Sequence, residues 1–216
     1  LLKDTKKINI AGENFIGGDS KFCVIAGPCV IENIDMLHKT CSFLKGETAK
    51  RGFSYVFKTS YDKANRTSLK GYRGPGLKDG LKMIDEIKRT YQVPVLVDVH
   101  ESSHVAPAAE VADILQIPAF LCRQTDFIRD VASSGKCVNI KKGQFVAPGD
   151  VRYIADKVLD AGNSRIILTE RGFAFGYNNL VFDPRALYIM RKTGFPVVFD
   201  ATHCVQMPSA SSGRSE

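Results

Sequence analysis

The sequence predicts an α/β fold: a TIM-type (β/α)8 barrel preceded by an N-terminal β-hairpin and lacking the eighth βα unit. Three observations predict it. Seven short runs rich in valine and isoleucine recur along the chain, apolar on both faces, as parallel strands covered by helices are. Segments of helical pattern separate them, and alternating β and α elements imply a parallel sheet. Seven such units in 216 residues suit a barrel, typically about 250 residues long, better than an open doubly wound sheet. No G-x-G-x-x-G follows the first run, which weakens a dinucleotide-binding version of that open sheet.

The elements follow in order. Residues 1–20 stand apart: Ile8-Asn9-Ile10, a glycine-containing turn and Asn14-Phe15-Ile16 predict a small hairpin. The first barrel strand, 22–26, ends in Gly27-Pro28, and a helix covers 35–51. Strand 55–57 ends in Lys58 and is followed by a helix over 77–91. Strand 95–99 ends in His100 and leads to a helix over 104–111. Strand 114–117 ends at Pro118, before a helix over 126–134. Strand 137–140 ends in Lys141-Lys142-Gly143, and the helix over 148–161 is closed by Gly162. Strand 166–168 ends in Glu170-Arg171-Gly172, and the helix over 183–193 is closed by Gly194. Strand 197–199 ends in Asp200-Ala201-Thr202-His203, and the Ser/Gly-rich stretch 208–216 reads as a mobile loop. All of 1–216 forms one barrel domain. Seven strands would leave two sheet edges unpaired, which proteins avoid, so the natural protein is expected to continue beyond Glu216.

Composition narrows the function classes. With 44% apolar and 25% charged residues the chain is an ordinary globular protein, and no apolar run approaches the ~20 residues of a membrane span. The first ten residues carry lysines but no apolar signal region. Six cysteines (Cys23, Cys29, Cys41, Cys122, Cys137 and Cys204) form no C-x-x-C pair, which reads as a reducing, cytoplasmic compartment. The net charge of +7 comes with no basic tail and no run of five like charges, which argues against nucleic acid or a membrane surface as partner. The cations of interest sit singly at strand ends, where they suit an anionic substrate.

In a barrel, the C-terminal strand ends and the loops after them build the active site. The segment from Lys58 to Ser68 holds three cations, Lys58, Lys63 and Arg66, among hydroxyls and amides, the mixture that phosphate recognition needs. A solvated polar loop is the bland alternative, but Lys58 directly follows Val56-Phe57, so its stem is expected to be partly buried. In Lys141-Lys142-Gly143-Gln144-Phe145, alternation directs one lysine into the barrel mouth and the other out. Arg171 follows the same logic. Surface lysines and an ion pair are the ordinary alternatives; with Lys58 and Lys63 these residues could converge on one anion. Asp98 and His100 share a strand face, where they could orient a hydroxyl or shuttle a proton, although a barrel histidine is more often simply hydrogen-bonded. Cys29 and His203 end the first and last strands. A thiolate and an imidazole suit zinc or ferrous iron, but two ligands are fewer than the usual three, and on spacing alone each reads as a core residue.

Taken together, Ala26-Gly27-Pro28-Cys29, the segment 58–68, Asp98-Val99-His100, the run 116–126, 139–145, 169–179 and 200–206 resemble the 3-deoxy-D-manno-octulosonate 8-phosphate synthase family. The resemblance runs in order from Phe22 to Gln206, and the segments 63–66 and 116–126 are its most specific parts. The related heptulosonate-phosphate synthases share the barrel and the Gly-Pro-Cys but have a different basic loop after the second strand; they would use erythrose 4-phosphate. The resemblance implies condensation of phosphoenolpyruvate with D-arabinose 5-phosphate, with release of phosphate, on the way to a lipopolysaccharide sugar. It implies that Lys58, Lys63, Lys141, Gln144 and Arg171 hold phosphoenolpyruvate, and that Pro118, Ala119 and Gln124 line the site. Asn65, Arg66 and Thr67 would take the sugar phosphate, with Arg66 reaching a neighbouring subunit's site in a homotetramer; many members carry serine where Thr67 stands. Asp98, His100, Asn65 and Cys29 would take part in the chemistry. Cysteine after Gly-Pro marks the metal-dependent members, so a divalent metal such as zinc, iron or manganese is implied, with Cys29 and His203 as two ligands. The other two, a glutamate and an aspartate, would lie beyond Glu216. Two readings from other classes stand beside this one: a non-catalytic truncated remnant, and a basic nucleic-acid-binding protein, for which aromatic–basic interleaving is missing.

Overall fold

The computed structural model describes residues 4–207. The mobile loop expected at 208–216 lies outside the described residues. The chain opens with an antiparallel hairpin, β1 (Ile8–Ala11) and β2 (Asn14–Ile16), with Ile8 opposite Ile16. Seven parallel strands follow: β3 (Cys23–Ala26), β4 (Ser54–Thr59), β5 (Val95–Asp98), β6 (Ile114–Ile117), β7 (Cys137–Lys141), β8 (Ile166–Glu170) and β11 (Val197–Phe199). They pair strictly in chain order. Between them lie helices α1 (Ile34–Lys50), α2 (Leu77–Tyr91), α3 (Ser102–Val111), α4 (Thr125–Ser133), α5 (Val151–Asp160) and α6 (Arg185–Arg191). No helix among the described residues is long and apolar enough to cross a membrane.

Chain-order parallel pairing follows from one helix crossing over between each pair of neighbouring strands, all in the same sense. The sheet curls strongly. β3 and β11 are its two ends, yet Cys29 just past β3 and His203 just past β11 come within 3.6 Å side chain to side chain. The mouth at the C-terminal strand ends is thus drawn together across the sheet's two edges.

Register divides each strand into two faces. Tyr55, Phe57, Val95, Val97, Leu115, Ile117, Val138, Ile140, Ile166 and Leu168 point outward and join one large cluster with the helices. The inward residues Val56, Leu96, Ile114, Cys137 and Ile167 form a second cluster, with Ile25 and Val198 at its margin, and the hairpin's Ile8, Ile10 and Ile16 pack onto it. The hairpin therefore plugs the N-terminal end of the barrel. Two residues further along the same inward face come Lys58, Asp98, Gln116, Asn139, Thr169 and Asp200, because side chains alternate with period two. This polar layer continues the plug toward the mouth.

The expected elements are all present, with shifted ends. β4 and β8 run further than their apolar cores, so Lys58 and Glu170 lie inside strands. A 3-10 turn at Pro148–Asp150 precedes α5, where the sequence reads as one continuous helix from 148. A small antiparallel pair, β9 (Phe173–Ala174) with β10 (Leu180–Val181), interrupts the connection from β8 to α6. Two-residue strands carry too little alternation to be read from sequence.

Candidate active site

The Gly27-Pro28-Cys29 turn exists because the first strand's end lies against the second. A Cβ at position 27 would meet the Lys58 carbonyl oxygen at 2.0 Å, so only glycine fits. This close approach sets Cys29 above Lys58. Lys58 itself is half-buried. Burial, with Lys63 and Lys141 as like charges, lowers its ammonium to about 8, although Asp98 and Cys29 pull the other way. The residues that perturb it are Lys63 on its own following loop and site residues of three other strand ends, which defines one electrostatic cluster.

Asp98 is the anionic hub of one half. Its Oδ2 lies 3.8 Å from Lys63 Nζ and 3.3 Å from His100 Nε2. Burial alone would push its carboxyl up, but Lys63, His100 and Lys58 outweigh it and hold the group well below the usual carboxylate range. The buried Tyr61 ring and the His100 imidazole pack in a T-shaped contact at 5.5 Å between centroids. Asp200 is the hub of the other half. Its Oδ2 takes the Lys141 ammonium at 2.7 Å and His203 Nδ1 at 2.8 Å. Its carboxyl also sits well below the ordinary range, because His203 and Lys141 overcome the cost of burial.

With Nδ1 held by Asp200, His203 presents Nε2 to Cys29 Sγ at 3.6 Å. The hydrogen bond to His203, helped by Lys63 and Lys58 and opposed by desolvation, brings the Cys29 thiol down to about 6. A soft thiolate and an imidazole nitrogen oriented by a carboxylate are donors that fit a divalent metal. Among the described residues no group of three or more His, Cys, Asp and Glu side chains is placed to hold one.

Between plug and mouth runs a buried polar belt. Asn139 Nδ2 donates to Gln116 Oε1 at 2.9 Å, and Thr169 Oγ1 donates to Asn139 Oδ1 at 2.7 Å. Above it, Arg171 is 7% exposed. Burial pulls its guanidinium down from the usual value, with Asp200 opposing. Asp98 Oδ1, His100 Nδ1, Gln144 Oε1 and Arg171 Nη1 are buried without a hydrogen-bond partner, four of seven such atoms among the described residues. Buried polar groups are normally paired, so their concentration at four expected site residues makes this surface the candidate binding site.

Lys58, Lys63, Asp98, His100, Lys141, Arg171, Cys29 and His203 are therefore brought together. Gln144 borders them on the loop after β7, and half-buried Pro118 and Ala119 follow β6, with the Ala119 carbonyl close to Gly143. Asn65, Arg66 and Thr67 are exposed on the loop after β4, and the Arg66 Nε donates to Tyr72 O within that loop. Gln124 is exposed at the start of α4. Sequence reasoning missed Asp200 as a hub, and the polar belt. Alternation from Val198 could have flagged Asp200, since both lie on the inward face.

The fold and its mouth define a barrel enzyme built to hold anionic substrates. Residues 5–214 match the DAHP synthetase I family, and the chain belongs to it. It is 54% identical over 200 residues to the 2-dehydro-3-deoxyphosphooctonate aldolase of Xylella fastidiosa (strain M12), covering 93% of this chain and 72% of that protein. The proteins of the same name from Geotalea uraniireducens (strain Rf4) and Geobacter sulfurreducens are 54% and 53% identical over 210 and 211 residues, each covered for 77% of its length.

Proposed function

We propose that the protein condenses phosphoenolpyruvate with D-arabinose 5-phosphate and water to give 3-deoxy-D-manno-octulosonate 8-phosphate and phosphate. The observation that carries this reading is the mouth itself: Lys58, Lys63, Lys141 and Arg171 gather on one inward surface, and Arg171 Nη1 is buried there without a partner. The relatives' shared name favours the octulosonate product over a heptulosonate.

Two phosphorylated substrates repel one another, and fixed cations offset that repulsion without reorganising. Lys58, Lys63, Lys141, Gln144 and Arg171 hold the carboxylate and phosphate of phosphoenolpyruvate. Asn65, Arg66 and Thr67 take the sugar phosphate, and Pro118, Ala119 and Gln124 line the space between. Carbon 3 of the enol attacks the aldehyde carbon, whose oxygen gains a proton. Positive character at carbon 2 is quenched by water, which loses a proton. The tetrahedral intermediate then expels phosphate by cleavage of its bond to carbon 2; the carbon 2 hydroxyl gives up its proton to the departing phosphate, leaving the ketone. Asp98 and His100 orient the aldehyde and handle these protons; Asp98 Oδ1 and His100 Nδ1 are the buried atoms free to do so. Cys29 and His203 would supply two of the ligands to a divalent metal, zinc, iron or manganese, whose chemistry when bound would be Lewis acidity. The working protein is a cytoplasmic homotetramer, a reading supported by six free cysteines and by family resemblance.

The test is phosphate release from phosphoenolpyruvate with arabinose 5-phosphate, in EDTA and then with Mn2+ or Zn2+ added. Turnover restored by metal is the expected result. Turnover only with erythrose 4-phosphate would reassign the aldose, and equal turnover in EDTA would remove the metal.

A further inference from the structure

The lysine beside Lys141 faces away from the mouth, yet it is not a surface residue. Lys142 and Glu170 are both 0% exposed, and Nζ lies 3.5 Å from Glu170 Oε1. The ammonium donates to the carbonyls of Gly143 at 3.0 Å and Val146 at 3.2 Å, on its own loop, and reaches Gly172 O at 3.5 Å on the other. The Phe173 ring covers it at 3.8 Å. Glu170 Oε1 in turn accepts the backbone N–H of Arg171 at 2.9 Å and of Gly172 at 2.6 Å, a turn that Gly172 makes at φ +88°. A further bond, from Ala174 N to Gln144 O at 3.2 Å, joins the same two loops.

A fully buried ion pair is a costly way to gain stability, since apolar residues of the same volume usually do as well or better. Each loop carries one residue of the mouth with a buried polar atom left unpaired: Gln144 on the first and Arg171 on the second. We propose that Lys142 and Glu170 are positioning residues: their buried pair fastens the segments 142–146 and 170–174 together and so sets Gln144 and Arg171 in register for the substrate anion. The identity of that anion rests on the function proposed above; the coupling of the loops does not.

The experiment compares the wild type, Lys142→Met, Glu170→Gln and the double variant by hydrogen–deuterium exchange, calorimetric titration with phosphoenolpyruvate, and thermal melting. Glutamine keeps the acceptor for the Arg171 and Gly172 N–H groups, so Glu170→Gln should leave its own loop's turn formed while loosening 142–146. Lys142→Met should loosen 170–174. Affinity should fall on the order of tenfold or more, as when a binding group is slightly misplaced. The double variant should regain melting temperature, its unpaired buried charge gone, but neither loop protection nor affinity; it also serves if a single variant does not fold. Exchange changes confined to the substituted loop, or wild-type affinity in the double variant, would overturn the proposal. If the wild type binds no phosphoenolpyruvate, the functional reading falls, and the exchange pattern alone decides the coupling.

Discussion

The two ends of this barrel are lined by the same strands and the same inward faces, yet their chemistry is opposite. At the N-terminal end Val56, Leu96, Ile114, Cys137 and Ile167 meet the hairpin's isoleucines in an apolar plug. Two residues on, Lys58, Asp98, Gln116, Asn139 and Thr169 occupy the same columns. The difference separates the origin of stability from the origin of function within single strands. The plug gains by removing apolar surface from water. The mouth costs stability, because its charges are partly desolvated and several buried polar atoms lack partners.

That contrast can be broken most sharply at Arg171. Arg171→Met should lower kcat/KM for phosphoenolpyruvate about a thousandfold, the scale of losing a fixed donor to an anion, with little change in melting temperature. A variant with near wild-type kcat/KM would show that the buried guanidinium serves packing only. At the other end, Leu96→Ala should cost about 3 kcal/mol in urea unfolding, since Leu96 is 1% exposed, and leave kcat/KM of the folded fraction unchanged. A large loss of activity there would mean that the plug sets the geometry of the mouth.

The polar belt lies between the two regimes and should report on both. Asn139→Leu strands Gln116 Oε1 and Thr169 Oγ1, at a cost of about 2 kcal/mol in denaturant unfolding. A modest fall in kcat/KM should accompany it, because Lys141 follows two residues later on the same strand face. Loss of stability with kinetics untouched would move the belt wholly to the plug.

Much of this was legible in the chain. The strand order, the hairpin and the polar strand ends follow from apolar runs and their punctuation, and alternation assigns Asp98 and His100 to one face. What was not legible depends on the curl of the sheet. Nothing local brings Asp200 to Lys141, 59 positions earlier by the numbering, or Cys29 to His203. Likewise Lys141 and Lys142 are identical letters in adjacent positions. Only the register, and the Phe173 ring over Nζ, makes one a mouth cation and the other a buried fastener. The 3.6-residue period of helices and the two-residue period of strands encode which way a side chain points, not what waits there.

The smallest expected effect sharpens the comparison within one residue. Burial lowers the Lys58 ammonium to about 8, so the cation is complete below that pH and lost above it. For free enzyme meeting phosphoenolpyruvate, kcat/KM should fall as pH rises through about 8, with a limiting slope near tenfold per unit, or about 1.4 kcal/mol. Stability should move the other way. Between about 8 and the unfolded lysine's usual value, the unfolded chain holds more proton on this group, so stability contributed by Lys58 rises with pH there. Lys58→Met should therefore melt higher than the wild type while binding phosphoenolpyruvate worse, the reverse of Leu96→Ala. Lys58→Arg keeps the charge at every accessible pH and should shift the alkaline limb of kcat/KM upward, whatever its height. A limb that stays near 8 in that variant would belong to another group, and Lys58 would then be a cation the mouth merely tolerates.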